Sequence, residues 1–386
     1  MRHALLSEQW FPSIGGSIQL FDAVYGHAMA PGDFVHVIAG GAPSMELLDR
    51  DYPRPVTRFD ATRYEWLKPE SSLLYARMLA ATLQVCRRER IEVLHCGRVI
   101  PEGLVGLALH RALGLPFTVW VHGEDVSIYM RYAVKRRLIP RVFRAARAIF
   151  ANSRFTRGRA LAAGAPESRV HVVHPPVDAG LFEGPFDTRD LAARWETTGR
   201  RVLLTVGRLT RRKGHDVVLR ALARLRRAGA PAAMRWLVLS DGELEDELKA
   251  MARSLGLDDV VRWVGPVPRH ELPRYYALAD LFVMPNRTLA DDDVEGFGIV
   301  FLEASASGVA VVGGRSGGVP DAVEDGVTGL LVEGADEQAV AEAIGALLAD
   351  DDRRRAMGEA GRRWARRFSA HEAASLVRDA SRGGQG

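Results

Sequence analysis

The chain has 386 residues, 47% of them apolar and 26% charged, a balance that builds full hydrophobic cores and excludes a disordered or fibrous protein. Its length favours two domains over one, no run of about 18 apolar residues offers a membrane-spanning helix, and two cysteines (Cys86 and Cys96) are too few for a disulfide framework or a zinc site. The net charge of +4 divides into +5 for residues 1–190 and −1 for the rest, so the basic excess belongs to the first half.

The opening MRHALLSEQWFPSIGG has no signal-peptide core, which predicts a cytoplasmic protein with reduced thiols. Apolar strand-like runs follow at 3–6, 34–38, 91–95, 117–121, 148–151 and 170–173. A Pro-rich, poorly periodic stretch, 174–190, interrupts the rhythm. It restarts with runs at 202–206, 235–239, 260–264, 281–284 and 309–312, separated by helical patterns such as 215–227, 244–255 and 338–348. Nearly all-apolar strands alternating with helices predict parallel sheets covered on both faces. Two such series predict two Rossmann-like domains, residues 1–180 and 181–365, with parallel sheets facing across a cleft. Residues 366–386 are expected to form a C-terminal helix or tail that packs back on the first domain. Ligands of such sheets sit at the carboxyl ends of the strands.

In chain order, FPSIGGSIQL places Gly15 and Gly16 after the first strand and at the start of a helix, as an anion-binding loop. It lacks the G-x-G-x-x-G spacing, which excludes a dinucleotide site. VWVHGEDV places His122, Glu124 and Asp125 at the end of an apolar strand, where a histidine binds or catalyses more often than it packs. From Ser127 to Arg159 there are ten basic residues and no acidic one. Arg137, Arg141 and Arg144 share one helical face there, opposite Leu138, Val142 and Ala146. This is either an arginine-rich solvated helix or a surface facing anionic lipid, and the lipid reading is preferred. Nucleic acid is set aside because no aromatic stacking pattern accompanies the arginines.

VGRLTRRKG follows a strand and precedes a helix, so Arg208 and Lys213 lie at a strand's carboxyl end, both expected to be exposed. A guanidinium fork and an ammonium there suit a pyrophosphate. In EGFGIVFLE, one continuous helix would set Glu295 and Glu303 about 12 Å apart along its axis, too far for an acid/base pair. Gly296 and Gly298 instead predict a break, with Glu295 in a loop and Glu303 on the second helical turn. The amides of Phe297, Gly298 and Ile299 would then be open donors. The pattern suits two hydroxyl-bearing parts of one ligand; a glycine-flanked helix start with a solvated glutamate remains an alternative. SGGVPDAVEDGVTGLL lets backbone approach a ligand closely at Ser316–Gly318.

Taken in order, the glycine pair after the first strand, HGED, VGRLTRRKG, EGFGIVFLE and SGGVPDAV resemble the retaining glycosyltransferases of family 4, which have the GT-B fold. The resemblance covers nearly the whole chain. The string VMPNRTLADDDVEGFGIVFLEASASGVAVVGGRSGG is most similar to the branch of bacterial phosphatidylinositol mannoside mannosyltransferases, which use GDP-mannose. The resemblance implies that Arg208 and Lys213 hold the donor pyrophosphate, Glu303 the ribose, and Glu295 with the Phe297 and Gly298 amides the transferred sugar. It implies that Gly16 meets the distal phosphate, that His122 contacts the sugar, and that the loop containing Val267 reads the base. It further implies hexosyl transfer to a lipid-linked or glycan acceptor in glycolipid or polysaccharide biosynthesis, with retention, without a metal or other cofactor, and at the inner face of the cell membrane. Asp291–Asp293 are then an acidic loop rather than a metal-binding D-x-D. A UDP-glucose or UDP-GlcNAc transferase, a GT-B nucleotide-sugar epimerase and a non-catalytic sugar-nucleotide-binding protein are the competing readings.

Overall fold

A computed structural model describes the chain except residues 14, 42–44, 46–48, 62–69, 230–232 and 383–386. The chain divides into two compact units. Unit 1 takes Met1–Pro176 and the segment that begins at Ser369; unit 2 takes Val177–Phe368.

Unit 1 is built on β1 (Arg2–Ser7), β2 (Phe34–Gly40), β3 (Val56–Phe59), β4 (Val93–Cys96), β5 (Phe117–Val121), β6 (Ala148–Ala151) and β7 (Val170–Val172). These form one parallel sheet in the order β3-β2-β1-β4-β5-β6-β7. Apolar side chains on both faces bury β5 and β6 completely, as expected of a sheet covered by helices on each side. One face packs on the helices Glu102–Leu113 and Ala133–Ala145. The other packs on a cluster with Phe21, Tyr25, Trp120 and Phe150, which Ala373, Ala374 and Val377 of the helix Ala370–Arg382 complete. Arg147 anchors that helix by donating from Nη1 to the Ser381 carbonyl at 2.8 Å. A polar line crosses the sheet. His3 Nδ1 meets His95 Nε2 at 3.0 Å, and His95 Nδ1 meets Thr118 Oγ1 at 2.8 Å. Burial holds His3 at about 4 and His95 well below the usual imidazole range, so both are neutral.

Unit 2 repeats the plan with β8 (Arg201–Val206), β9 (Met234–Leu239), β10 (Val261–Gly265), β11 (Leu281–Met284), β12 (Ala310–Gly314) and β13 (Gly329–Val332). The parallel order is β10-β9-β8-β11-β12-β13. The helices His215–Arg227 and Glu337–Ala349 cover one face; Leu272–Leu278 and Ile299–Ala306 cover the other. Inside the sheet, Trp236 Nε1 donates to Thr205 Oγ1 at 2.9 Å, satisfying a buried indole. In both units the strand order reverses beside the first strand, between β1 and β4 and between β8 and β11. Helices depart to opposite faces at these points, and a crevice opens at the carboxyl ends of the strands.

Candidate active site

At the switch point of unit 2, β8 delivers Gly207 and Arg208, and β11 delivers Pro285 and Asn286. Arg208 is exposed and, among the described residues, makes no ion pair. Lys213 ends a single 3₁₀ turn, Arg211–Lys213, and Gly214 follows in the left-handed conformation at φ 77° to start the next helix. A Cβ on Gly214 would collide with the Pro285 carbonyl, and one on Gly314 or Gly334 with the Asn286 carbonyl. Three chain segments therefore close on Pro285–Asn286 and fix its path.

That path aims Asn286 and Lys213 at one carboxylate. Lys213 Nζ donates to Glu295 Oε2, Asn286 Nδ2 donates to the same oxygen at 3.0 Å, and Arg212 Nε lies 3.9 Å away. Burial pushes the Glu295 carboxyl up, but the Lys213 and Arg212 charges, the Lys213 hydrogen bond and the Phe297 amide outweigh it and hold the group below its ordinary range. Glu295 is therefore an ionised, acceptor-only group. Two expectations are corrected. Lys213 is only 11% exposed because its ammonium is drawn onto Glu295, and the Phe297 amide is turned to the Glu295 carboxylate rather than left open. Gly296 sits in the loop as expected, Gly298 enters the helix at φ 90°, and Ile299 is its first residue. Phe297 is buried in the unit 2 core. The SGG segment braces this loop: Gly318 N donates to the Glu295 carbonyl at 2.9 Å, and Ser316 Oγ meets Thr288 Oγ1 at 2.8 Å.

The acidic run Asp291–Asp293 also has a local role. Asp293 lies 3.4 Å from Arg212, so Arg211, Arg212 and Lys213 meet Glu247, Asp293 and Glu295 in turn. Among the described residues no three His, Cys, Asp or Glu side chains converge as a metal site would require.

Glu303 occupies the second turn of the helix Ile299–Ala306 and is 2% exposed. Its Oε2 accepts from the fully buried Tyr276 hydroxyl at 2.9 Å, and Arg269 Nη1 stands 4.0 Å from Oε1. Burial raises its carboxyl above the ordinary range; Arg269 and the Tyr276 hydrogen bond offset only part of that. Glu295 and Glu303 thus have different partners and opposite shifts. Val267 is half-buried against the same core face, two residues before Arg269.

In unit 1, His122 leaves the end of β5 and donates from Nε2 to the Gly97 carbonyl at 2.9 Å. A carbonyl only accepts, so Nε2 carries the proton and Nδ1 keeps a lone pair in the neutral ring. Burial, then the Arg98 charge, lowers the imidazole to about 4. Asp125 is structural: its Oδ1 accepts from the His122 amide at 2.9 Å and the Gly123 amide at 3.1 Å. Glu124 is exposed, 3.4 Å from Arg98 Nη1. Beneath them Glu102, pushed up to about 7 by burial, accepts the Glu8 amide at 2.8 Å and so ties down the chain as it leaves β1. Gly15 is extended and Gly16 opens the helix Gly16–Phe21.

The helix Ala133–Ala145 buries Ile139, Val142 and Phe143 and exposes Arg136, Arg137, Arg141 and Arg144. Tyr132 and Val134 are also exposed at its start, and Lys135 Nζ stands 3.5 Å over the Tyr129 ring. Among the described residues no helix is long and apolar enough to cross a membrane.

Unit 2 thus carries an exposed arginine, a largely buried Lys–Glu pair and a second, buried carboxylate at its switch point. Residues 14–181 match the family described as Glycosyltransferase Family 4, and residues 188–364 that described as Glycosyl transferases group 1. The chain is 40% identical over 277 residues to a GDP-mannose-dependent alpha-(1-6)-phosphatidylinositol monomannoside mannosyltransferase of Mycolicibacterium smegmatis, covering 71% of this chain and 72% of that one. It is 35% identical over 309 residues to D-inositol 3-phosphate glycosyltransferase 1 of Catenulispora acidiphila, covering 74% and 72%. Among solved structures, Anabaena HepE in complex with UDP and glucose superposes with a TM-score of 0.81 at 20% identity, covering 98% of both chains. Sucrose-phosphate synthase of Thermosynechococcus elongatus gives 0.81 at 20% identity, covering 99% of this chain and 98% of that one. The chain belongs to glycosyltransferase family 4 and is a hexosyltransferase.

The His122 geometry makes a direct prediction. In a long-range ¹⁵N–¹H spectrum the His122 ring should show the Nε2–H tautomer and stay neutral from pH 8 to about 5, titrating near 4. A midpoint between 6 and 7, the ordinary range for a solvated imidazole, would contradict it.

Proposed function

We propose that this enzyme moves mannose from GDP-mannose to a lipid-linked or glycan acceptor with retention of anomeric configuration. One observation carries the reading: Lys213, Asn286 and Glu295 converge at the unit 2 switch point with Arg208 exposed at the adjacent strand end. Arg208 as a fork and Lys213 as a point charge offset the charge that gathers on the departing diphosphate. Loss of one such contact typically costs ~10²–10³ in turnover. Lys213 also keeps Glu295 ionised, so the carboxylate accepts hydrogen bonds from sugar hydroxyls. Glu303 accepts from the ribose, the Gly298 amide supports the sugar, the Gly16 amide meets the distal phosphate, and the His122 Nδ1 lone pair accepts from a sugar hydroxyl. Front-face attack accounts for retention: the bond to the leaving phosphate oxygen breaks as the acceptor oxygen attacks from the same face, and that phosphate oxygen takes the acceptor's proton. Protein cations do the charge work that a divalent ion does elsewhere, and transfer should persist in EDTA. GDP-mannose and a lipid-linked acceptor are supported by the names of the mannosyltransferase relatives. The exposed arginines of Ala133–Ala145 support peripheral docking on anionic lipid, at ~1 kcal/mol per basic residue near such a surface.

Calorimetry separates the two glutamates. Glu303→Gln should weaken GDP and GDP-mannose alike. Glu295→Gln should leave GDP nearly intact but weaken GDP-mannose or slow transfer. A lost hydrogen bond to a charged group is worth about 1.5–3 kcal/mol, or roughly 10- to 150-fold. Equal behaviour of the two variants toward GDP refutes the division of roles. For the membrane reading, the enzyme should co-sediment with vesicles containing phosphatidylglycerol and release at high salt, and Arg137→Glu/Arg141→Glu/Arg144→Glu should abolish binding. Unchanged sedimentation of that variant removes the helix from the docking surface.

A further inference from the structure

Glu303 has its two oxygens unequally committed. The Tyr276 hydroxyl is fully buried and points at Oε2 from 2.9 Å, so that oxygen is occupied from inside the unit 2 core. Oε1 faces the other way, with the Arg269 guanidinium 4.0 Å off and half exposed. Arg269 is held there by its loop. Pro266 and Pro268 flank Val267, the Ser240 amide donates to the Gly265 carbonyl at 2.9 Å, and Arg269 opens the turn that leads into the helix carrying Tyr276. The motif reading gave the carboxylate a role but none to either neighbour.

We propose that Tyr276 is a positioning residue that reserves Oε2, so that Glu303 engages the nucleotide through Oε1 alone, and that Arg269 reads the base. The inference rests on the assignment of Glu303 to the ribose. A base lies one glycosidic bond from that ribose, within reach of a long side chain already beside Oε1. A guanidinium is a planar fork of donors, and guanine presents two adjacent acceptors, O6 and N7, that match it; adenine pairs its N7 with a donor, and uracil separates its two carbonyls by an N–H. Arg269 therefore selects guanine. The same arrangement gives Glu303 a pH dependence: burial raises its carboxyl, a carboxylate accepts from a ribose hydroxyl more strongly than the protonated acid does, and the Tyr276 hydroxyl favours the ionised form. Among the described residues, Arg269 is a charged group beside it, 4.0 Å from Oε1.

Calorimetric titration of GDP, UDP and inorganic pyrophosphate into the full-length wild type and four variants tests this. Wild type should prefer GDP over UDP. Arg269→Ala should bring GDP and UDP affinities together, a loss of roughly 5- to 150-fold in the GDP/UDP ratio, with pyrophosphate binding unchanged. Arg269→Lys, which keeps the charge but not the fork, should not restore the ratio. Tyr276→Phe should weaken GDP but not pyrophosphate, and more so as pH falls. Unchanged pyrophosphate binding shows that the variants are folded. Glu303→Gln is the arm that tests the ribose assignment separately. If it weakens GDP while Arg269→Ala or Arg269→Lys keeps the wild-type ratio, the role of Arg269 is overturned and the ribose assignment stands. If Glu303→Gln leaves GDP unaffected, the ribose assignment fails and this inference with it. A wild type that prefers UDP overturns both the guanine reading and the choice of GDP-mannose as donor.

Discussion

A largely buried ion pair between Lys213 and Glu295 sets the terms for the rest of unit 2. Taking two charges out of water is costly, and their mutual attraction offsets that only when further hydrogen bonds complete the pair. Here the Asn286 amide and the Phe297 N–H supply them, and Arg212 adds a second positive charge. Removing one partner of such a pair leaves an uncompensated buried charge, at about 3–5 kcal/mol. Much of the local backbone exists to hold this group of atoms in place. Gly214, Gly314 and Gly334 press chain against Pro285–Asn286, and Gly318 ties down the Glu295 carbonyl. The pair is a working arrangement of charge, ionised acceptor beside cationic donor, at the strand ends where a doubly wound sheet receives its ligand.

Unit 1 uses the same topology with the opposite electrostatics. Its switch point gathers groups that burial drives toward neutrality: His122 at about 4, Glu102 at about 7 and Asp125 above its ordinary range. Arg98 is the cation among them, shared between Gln9 and Glu124. A neutral imidazole with a lone pair on Nδ1 suits hydroxyl recognition rather than phosphate, whereas the unit 2 switch point carries the exposed Arg208. The contrast between the two switch points therefore follows from how far each cluster is desolvated and what charge stands beside it.

Much of the fold was readable because the sheets are parallel and buried. The runs at 117–121, 148–151 and 281–284 and the helix at 215–227 fall where periodicity puts them. β3 and β13 escaped because they are short edge strands with few buried residues: Val56–Phe59 buries only Phe59, and Gly329–Val332 follows a glycine-rich turn. Of the site, the strand-end cations and both glutamates were visible as motifs. Their pairing was not, since Lys213 and Glu295 are 82 positions apart and only the β8–β11 adjacency brings them together. Asn286 and Arg98 were missed although each lies two residues beyond an apolar strand, as Arg208 does beyond β8. Tyr276 belongs to none of the motifs, and its hydroxyl has meaning only once Glu303 is seen 2.9 Å away.

The most direct test of whether Lys213 and Glu295 act as one unit is a double-mutant cycle on kcat/KM for hexosyl transfer from GDP-mannose, using Lys213→Ala, Glu295→Gln and the double variant. Groups that act together lose most of their contribution when either is removed. The double variant should therefore be hardly slower than the more damaged single variant. Losses that simply multiply would show that the two side chains act independently, and would contradict the central role of the pair.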